Sequence, residues 1–340
     1  MDQLQKKQIE TKRGFTYTYY ISPAEKADAS KPVLLLAHGW PDNAHMWQWV
    51  VPHLLKTKNR LVIPDLLGYG GTSKPTDPKD YEISAMVGDV VEIFKAEKID
   101  SKIIPCGHDW GSYFAQRFYL LNKPLVAGLI TLNVALMPPR TDPFDLDAVN
   151  AYTEKHIGYP IYAYWELFSD PTGPRDVMDP NLESLYHAIH GSADGVSDDW
   201  MMKMFCTRGA IREFVSSGRT DVPLKKFAQD EGFKKAFIDE KKEGGMTAPG
   251  CWYRAMRENY HLETERKLKE TGFVVEQPYL FIGCTGDAVC RTDAIEVAKG
   301  AGMVKDLTVK ELESGHWCPF EKPDDVGRIV VEWLGEKGFA

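Results

Sequence analysis

The 340-residue chain has no Cys-x-x-Cys pair, no cluster of His and Cys at metal-ligand spacing, and no apolar run long enough to cross a bilayer. These absences argue against a zinc-held fold, a metal cofactor and a membrane span. The six cysteines, Cys106, Cys206, Cys251, Cys284, Cys290 and Cys318, are scattered, half of them in or beside apolar runs, and read as reduced structural thiols. The amino terminus, Met1-Asp2-Gln3-Leu4-Gln5-Lys6-Lys7, lacks the apolar core of a secretory signal, so a cytoplasmic location is expected. Basic residues are in deficit, 41 Lys and Arg against 49 Asp and Glu, and a net charge of -8 disfavours nucleic acid or an anionic membrane as partner. Gly68, Gly70 and Gly71 miss the Gly-x-Gly-x-x-Gly spacing, and Lys74-Pro75 follows where a helix should open, so no dinucleotide cofactor is expected. No internal repeat or low-complexity linker is present, and a monomer and a homodimer are both compatible with the chain.

What is present is a series of short apolar runs bounded by turn residues: Val33–Ala37, Leu61–Ile63, Lys102–Ile104, Leu129–Leu132, Tyr279–Ile282 and Leu307–Val309. They have the length and composition of buried parallel strands. Between them Ile83 to Phe94, and after the last of them Asp325 to Leu334, place apolar residues at helical spacing. Strands alternating with helices predict an α/β fold, a mostly parallel central sheet with helices on both faces. Phe15 to Ile21 alternates instead, as an antiparallel edge strand of a hairpin should. From Pro138-Pro139 to about Glu265 no buried strand is legible and aromatic and charged residues recur at helical spacing. The expected organisation is a sheet domain formed by residues 1–137 and 266–340, interrupted by a helical cap over 138–265.

The run Ile103-Ile104-Pro105-Cys106 breaks into Gly107-His108-Asp109-Trp110-Gly111. A strand ending in Gly-x-nucleophile-x-Gly is a sharp strand-to-helix turn that lifts its central side chain above the sheet, and it resembles the nucleophile elbow of the α/β-hydrolase fold. The central residue here is a carboxylate. Attack on a carbonyl would give a labile anhydride, whereas attack on an sp3 carbon gives an ester that water can cleave, so the expected electrophile is an epoxide or an alkyl halide. The bland alternative is an aspartate capping the helix that follows. The helix amino terminus favours a negative charge by roughly 0.3–2 kcal/mol, which helps keep Asp109 ionised. His38-Gly39-Trp40-Pro41 follows the Val33–Ala37 run at the place where that fold donates a backbone N–H to an oxyanion; Trp40 and Trp110 are the candidate donors. In that fold the acid and the histidine follow the nucleophile in order. Asp287 lies just beyond Tyr279–Ile282, and His316 is the only histidine after it. His316 would deprotonate the water that cleaves the ester, and Asp287 would fix its tautomer.

An epoxide oxygen stays on the substrate and needs a proton donor, for which tyrosine is suited. Tyr164 and Tyr253 stand out in the cap, although packing as core aromatics is the simpler reading, and Tyr159 and Tyr162 lie close to Tyr164. Gly107 to Gly111, His38 to Pro41, Tyr164 with Phe168 and Pro171, Trp252-Tyr253-Arg254 and Gly315-His316-Trp317 together resemble the soluble epoxide hydrolases of the α/β-hydrolase fold, fungal members in particular. The resemblance covers nearly the whole chain. It implies hydrolysis of a small-molecule epoxide to a vicinal diol without cofactor, with Asp109 as nucleophile, His316 as base, Asp287 as its partner, and Tyr164 and Tyr253 on the epoxide oxygen. His38, Pro41, His108, Phe168 and Trp317 are pocket candidates. The family's usual glutamine after the first tyrosine is Trp165 here. A haloalkane or haloacid dehalogenase shares the nucleophile and base and is the competing enzyme; a catalytically silent ligand receptor is the third possibility.

Overall fold

The computed structural model describes residues 1–192 and 199–340. Eight strands, β1 Gln5–Glu10, β2 Thr16–Ile21, β3 Val33–Ala37, β4 Leu61–Pro64, β5 Ile103–His108, β6 Leu129–Leu132, β7 Tyr279–Cys284 and β8 Leu307–Leu312, form one sheet in the order β1-β2-β4-β3-β5-β6-β7-β8. From β4 to β8 every pairing is parallel, while β2 runs antiparallel to both β1 and β4. Every residue of β3, β4, β5, β6 and β7 is buried, which is why these segments read as unbroken apolar runs without a period-two pattern.

One expectation changes. Thr16–Ile21 is not the edge of the sheet, because β1 pairs along its outer side with Gln5 opposite Ile21 and Glu10 opposite Thr16. β1 reads Gln-Lys-Lys-Gln-Ile-Glu, and its exposed polar side chains suit an edge that must not recruit another strand. The same polarity leaves it without the apolar run that marks the other strands in the sequence.

Between β6 and β7 the described residues contribute no strand to the sheet. The longer helices there are Leu146–Ile157, Leu182–His190, Glu231–Gly244, Thr247–Arg257 and Leu262–Thr271, and the last spans the expected boundary at 265/266. This helical layer is tied to the loops above the sheet. Glu240 accepts hydrogen bonds from Asn43 Nδ2 at 2.7 Å and from the Gly70 backbone at 3.1 Å, and the Trp252 indole donates to the Leu67 carbonyl at 2.9 Å. Its return to the sheet is fixed by a buried ion pair in which Arg117 Nε and Nη2 reach the two oxygens of Glu265 at 2.7 and 2.8 Å. Among the described residues no helix is long and apolar enough to cross a membrane.

A mostly parallel sheet gathers the carboxyl ends of its strands along one rim, the usual place for a site in such folds. In register, Ala37 of β3 sits beside Gly107 of β5, His108 beside Leu132 of β6, and Cys284 of β7 beside Leu312 of β8. Trp40, Asp109, Asn133, Asp287 and His316 each follow one of these ends.

Candidate active site

Asp109 adopts φ 54°, ψ -125°, a conformation costing a non-glycine residue about 1–3 kcal/mol. Close packing holds it there. A Cβ on Gly107 would run into the Gly111 carbonyl, and one on Gly111 into the carbonyls of Ala37 and His38, so the turn closes only with glycine at both positions. A Cβ on Gly39 would collide with Asp109 itself, 2.6 Å from Oδ1. The capping alternative fails, because the Asp109 side chain makes no cap bond to the helix Trp110–Leu121. Its Oδ1 accepts instead from the Trp40 backbone N–H at 2.9 Å.

The second carboxylate oxygen, Oδ2, lies 3.6 Å from His316 Nε2. His316 Nδ1 lies 2.6 Å from Asp287 Oδ2. Asp287 has its other oxygen on the backbone N–H groups of Val289 at 3.0 Å and Cys290 at 2.8 Å. All three side chains are buried. Burial pushes the Asp287 carboxyl upward, but the His316 charge and hydrogen bond outweigh it and hold the group down at about 2. Burial would lower His316; the charge and hydrogen bond of Asp287, with the Asp109 charge, win and raise it to about 9. Asp109 is raised by burial, against which His316 and the N–H groups of Trp110 and Trp40 pull. The helix dipole, expected to help keep Asp109 ionised, acts against a larger desolvation of the buried carboxylate.

Asn133 was not singled out in the sequence. It follows β6 with φ 68°, and its Nδ2 donates to Asp287 Oδ2 at 2.7 Å. Its own Oδ1 accepts from the thiols of Cys318 at 3.4 Å and Cys284 at 3.7 Å, which fixes the orientation of the amide. The available signal was its place directly after a buried strand, the same position that marked Asp109 and Asp287.

The supporting histidines are committed to backbone. His38 Nε2 accepts from the Leu66 N–H at 2.9 Å, so the proton is on Nδ1, 3.0 Å from the Gly39 carbonyl it serves; burial lowers the group to about 4 and keeps it neutral. His108, expected near a pocket, is fully buried and donates from Nε2 to the His316 carbonyl at 2.7 Å, again held neutral by burial at about 3. It anchors the backbone of the base. The Trp40–Pro41 peptide is cis, and the Trp40 ring lies 4.2 Å from Phe168 across the interface with the helical layer. Trp317 packs 4.9 Å from His316 and donates its indole N–H to Asp42 at 3.2 Å.

Tyr164 and Tyr253 meet above this floor, rings edge-to-face with centroids 5.9 Å apart; Tyr253 is also 5.2 Å from Trp110 and 5.3 Å from Phe168. Burial raises both phenols well above their ordinary range, and the Asp109 charge adds to the rise in each, placing both under the influence of one carboxylate. Tyr159 is engaged elsewhere, its hydroxyl donating to the Ala288 carbonyl at 2.8 Å. Tyr162 stacks on Trp165 at 4.9 Å. Among the described residues one group could hold a cation: Asp287, Cys290 and His316 each offer a ligand atom within 4.8 Å of the others.

Residues 32–158 match the family model described as the alpha/beta hydrolase fold, and the eight-stranded, mostly parallel sheet carries β3 to β6 within that span. The chain has the α/β-hydrolase fold. Along most of its length the chain is similar to proteins named as epoxide hydrolases. It is 25% identical to an epoxide hydrolase of Neurospora crassa over 338 residues, covering 94% of this chain and 92% of that one. It is 24% identical to the bifunctional epoxide hydrolase 2 of Sus scrofa over 316 residues, 90% of this chain but only 52% of that protein, so it spans about half the length of that relative. The crystal structure of an epoxide hydrolase from an endophytic Streptomyces superposes with TM-score 0.78 at 22% identity, covering 98% of this chain and 96% of that one.

Proposed function

We propose that the protein hydrolyses an epoxide to a vicinal diol through an ester on Asp109. The observation that carries the reading is the division of labour between the two Asp109 oxygens, Oδ1 on the Trp40 N–H at 2.9 Å and Oδ2 3.6 Å from His316 Nε2, beneath the Tyr164 and Tyr253 pair. In this reading Oδ2 attacks a ring carbon and the C–O bond to the epoxide oxygen breaks. That oxygen takes a proton from a tyrosine hydroxyl, which phenols kept neutral by burial can supply. A water then gives its proton to His316 Nε2 and attacks Cγ of Asp109. Negative charge develops on Oδ1, already in contact with the Trp40 N–H and near that of Trp110, each such donor being worth about 3–4 kcal/mol. Collapse releases the diol, the proton from His316 passes to the departing oxygen, and the second proton of the water, left on the Asp109 carboxyl, passes to the tyrosinate, so that both groups return to their starting state. The helical layer acts as the cap over 138–265, its boundary adjusted to the end of the Leu262–Thr271 helix.

A dehalogenase remains the second reading, favoured by one observation: the indoles of Trp165 and Trp110 are both buried, with ring centroids 5.6 Å apart. Two indoles could hold a leaving halide. Incubation with styrene oxide and with a bromoalkane, assaying diol and bromide, separates the two; bromide without diol would sink the epoxide reading. A single turnover in heavy-oxygen water tests the ester. Label should enter the Asp109 carboxylate and be absent from first-turnover diol, whereas labelled first-turnover diol means direct attack by water.

A further inference from the structure

Of the six free cysteines, Cys290 alone is not fully buried. It lies three residues after Asp287 and donates its backbone N–H to Asp287 Oδ1 at 2.8 Å, so the peptide that orients the carboxylate also carries a thiol to its side. One ligand atom from each of Asp287, Cys290 and His316 falls within 4.8 Å of the other two. We infer that these three residues form an inhibitory site for a thiophilic divalent cation, of which zinc and cadmium are the representatives.

The donor set decides the class of ion. One sulfur, one imidazole nitrogen and one carboxylate oxygen suit a tetrahedral zinc or cadmium ion with its fourth position open to water, whereas magnesium and calcium require oxygen ligands throughout. The geometry needs a small adjustment. His316 Nδ1 and Asp287 Oδ2 are 2.6 Å apart, the separation of a hydrogen bond; with each about 2.0–2.2 Å from a tetrahedral ion they would stand roughly 3.4 Å apart. The ring and the carboxylate must therefore part by somewhat under an ångström. Charge balances without further rearrangement: the dication enters and two protons leave to solvent, one from the Cys290 thiol and one from His316 Nδ1. A cavity of about 380 Å³ bounded by Tyr159, Met202, Ala288 and Arg291 borders Asp287, from which the ion must reach a carboxylate that is itself buried.

Inhibition follows from the tautomer. With Nδ1 on the ion, the proton of the neutral ring is confined to Nε2, the nitrogen facing Asp109, and that nitrogen can no longer accept a proton from water. The ester would form and persist. This consequence rests on the proposed role of His316, but occupancy of the site does not.

The test uses the whole protein after treatment with a chelator. Zinc chloride is titrated against styrene oxide hydrolysis, and in parallel cadmium chloride is added while cadmium–thiolate charge-transfer absorption is recorded. Expected are inhibition reversed by chelator, a cadmium band from one thiolate, and, in Cys290→Ser, an inhibitory zinc concentration at least tenfold higher when measured relative to that variant's own uninhibited rate, with loss of the band. Equal zinc sensitivity of Cys290→Ser, a band that survives the substitution, or a band without inhibition of an active enzyme would each overturn the inference. Were the protein inactive on every epoxide and bromoalkane, the band and its loss in Cys290→Ser would still report the site, so the two readings fail separately.

Discussion

Asn133 Nδ2 donates a 2.7 Å hydrogen bond to Asp287 Oδ2, the same oxygen that lies 2.6 Å from His316 Nδ1. The amide and the imidazole thus grip one atom from two strands, β6 and β8. A hydrogen bond to a charged acceptor contributes about 1.5–3 kcal/mol. Because Asn133 sits at φ 68°, glycine is the substitution that removes the amide without straining the backbone. Asn133→Gly should slow ester hydrolysis by roughly 10–100-fold while leaving ester formation within a few-fold, as read by rapid-mixing kinetics. An equal loss in both steps would mean that the residue serves the fold and not the base.

How much of this was legible follows from what each residue needed to be visible. Asp109 and Asp287 are legible because each closely follows a buried strand, and His316 because no other histidine follows Asp287. Asn133 occupies the same kind of position, yet an asparagine after a strand is also ordinary turn chemistry, and only its contact with a residue 154 positions away distinguishes it. Glu240, whose contacts to Asn43 and Gly70 join the helical layer to the sheet, sits within a run of charges that reads as a solvated helix face. Strand β1 was hidden by polarity. Local pattern discloses what a residue does to its own segment; contacts across the chain stay invisible until the fold brings the partners together.

Replacing the base should interrupt the proposed reaction at its midpoint. In His316→Gln the ester forms and water is no longer activated, so the protein should gain the mass of one substrate, located on the peptide containing Asp109. General base catalysis contributes about 10²–10⁴-fold, and turnover should fall accordingly. An unmodified protein after long incubation with substrate would remove Asp109 as the nucleophile.

The tyrosines separate by what they already touch. Tyr164→Phe and Tyr253→Phe each remove a hydroxyl above Asp109 and should lower kcat/KM for ring opening by about 10²-fold or more, with the double variant inactive. Tyr159→Phe loses contacts to the Ala288 carbonyl and the Arg291 side chain and should retain kcat/KM within a few-fold. A large loss in Tyr159→Phe with an active Tyr164→Phe would exchange their roles.

Stability should be sensitive to the ion pair beneath the helical layer. Glu265 receives Arg117 Nε and Nη2, the Tyr113 hydroxyl at 2.9 Å and the Arg140 backbone N–H at 3.1 Å, all out of solvent. Removing one partner of a buried pair leaves the other charge unmet, at about 3–5 kcal/mol. Glu265→Leu should show a loss of that order in denaturant unfolding, and Arg117→Leu combined with Glu265→Leu should recover part of it. A double variant less stable than either single one would contradict the argument.

The pH dependence follows from which charges surround His316 at each stage. In the resting protein the ring is raised to about 9 by Asp287 and, in part, by the ionised Asp109. A group so raised carries its proton below that pH, which would make it a poor base at neutrality. Ester formation converts Asp109 from an anion to a neutral group, and the share of the rise owed to its charge disappears. His316 should therefore titrate lower in the alkylated protein than in the free one, which makes it a better base at the stage when one is required. Decay of the ester in single turnovers should rise with pH through an apparent pKa below the value at which His316 titrates by NMR in the free protein. Asp109→Asn, which copies the lost charge without a substrate, should lower the NMR value in the same direction. An unchanged titration in Asp109→Asn would show that Asp287 alone sets the basicity of the ring, and the timing of base activation would need another source.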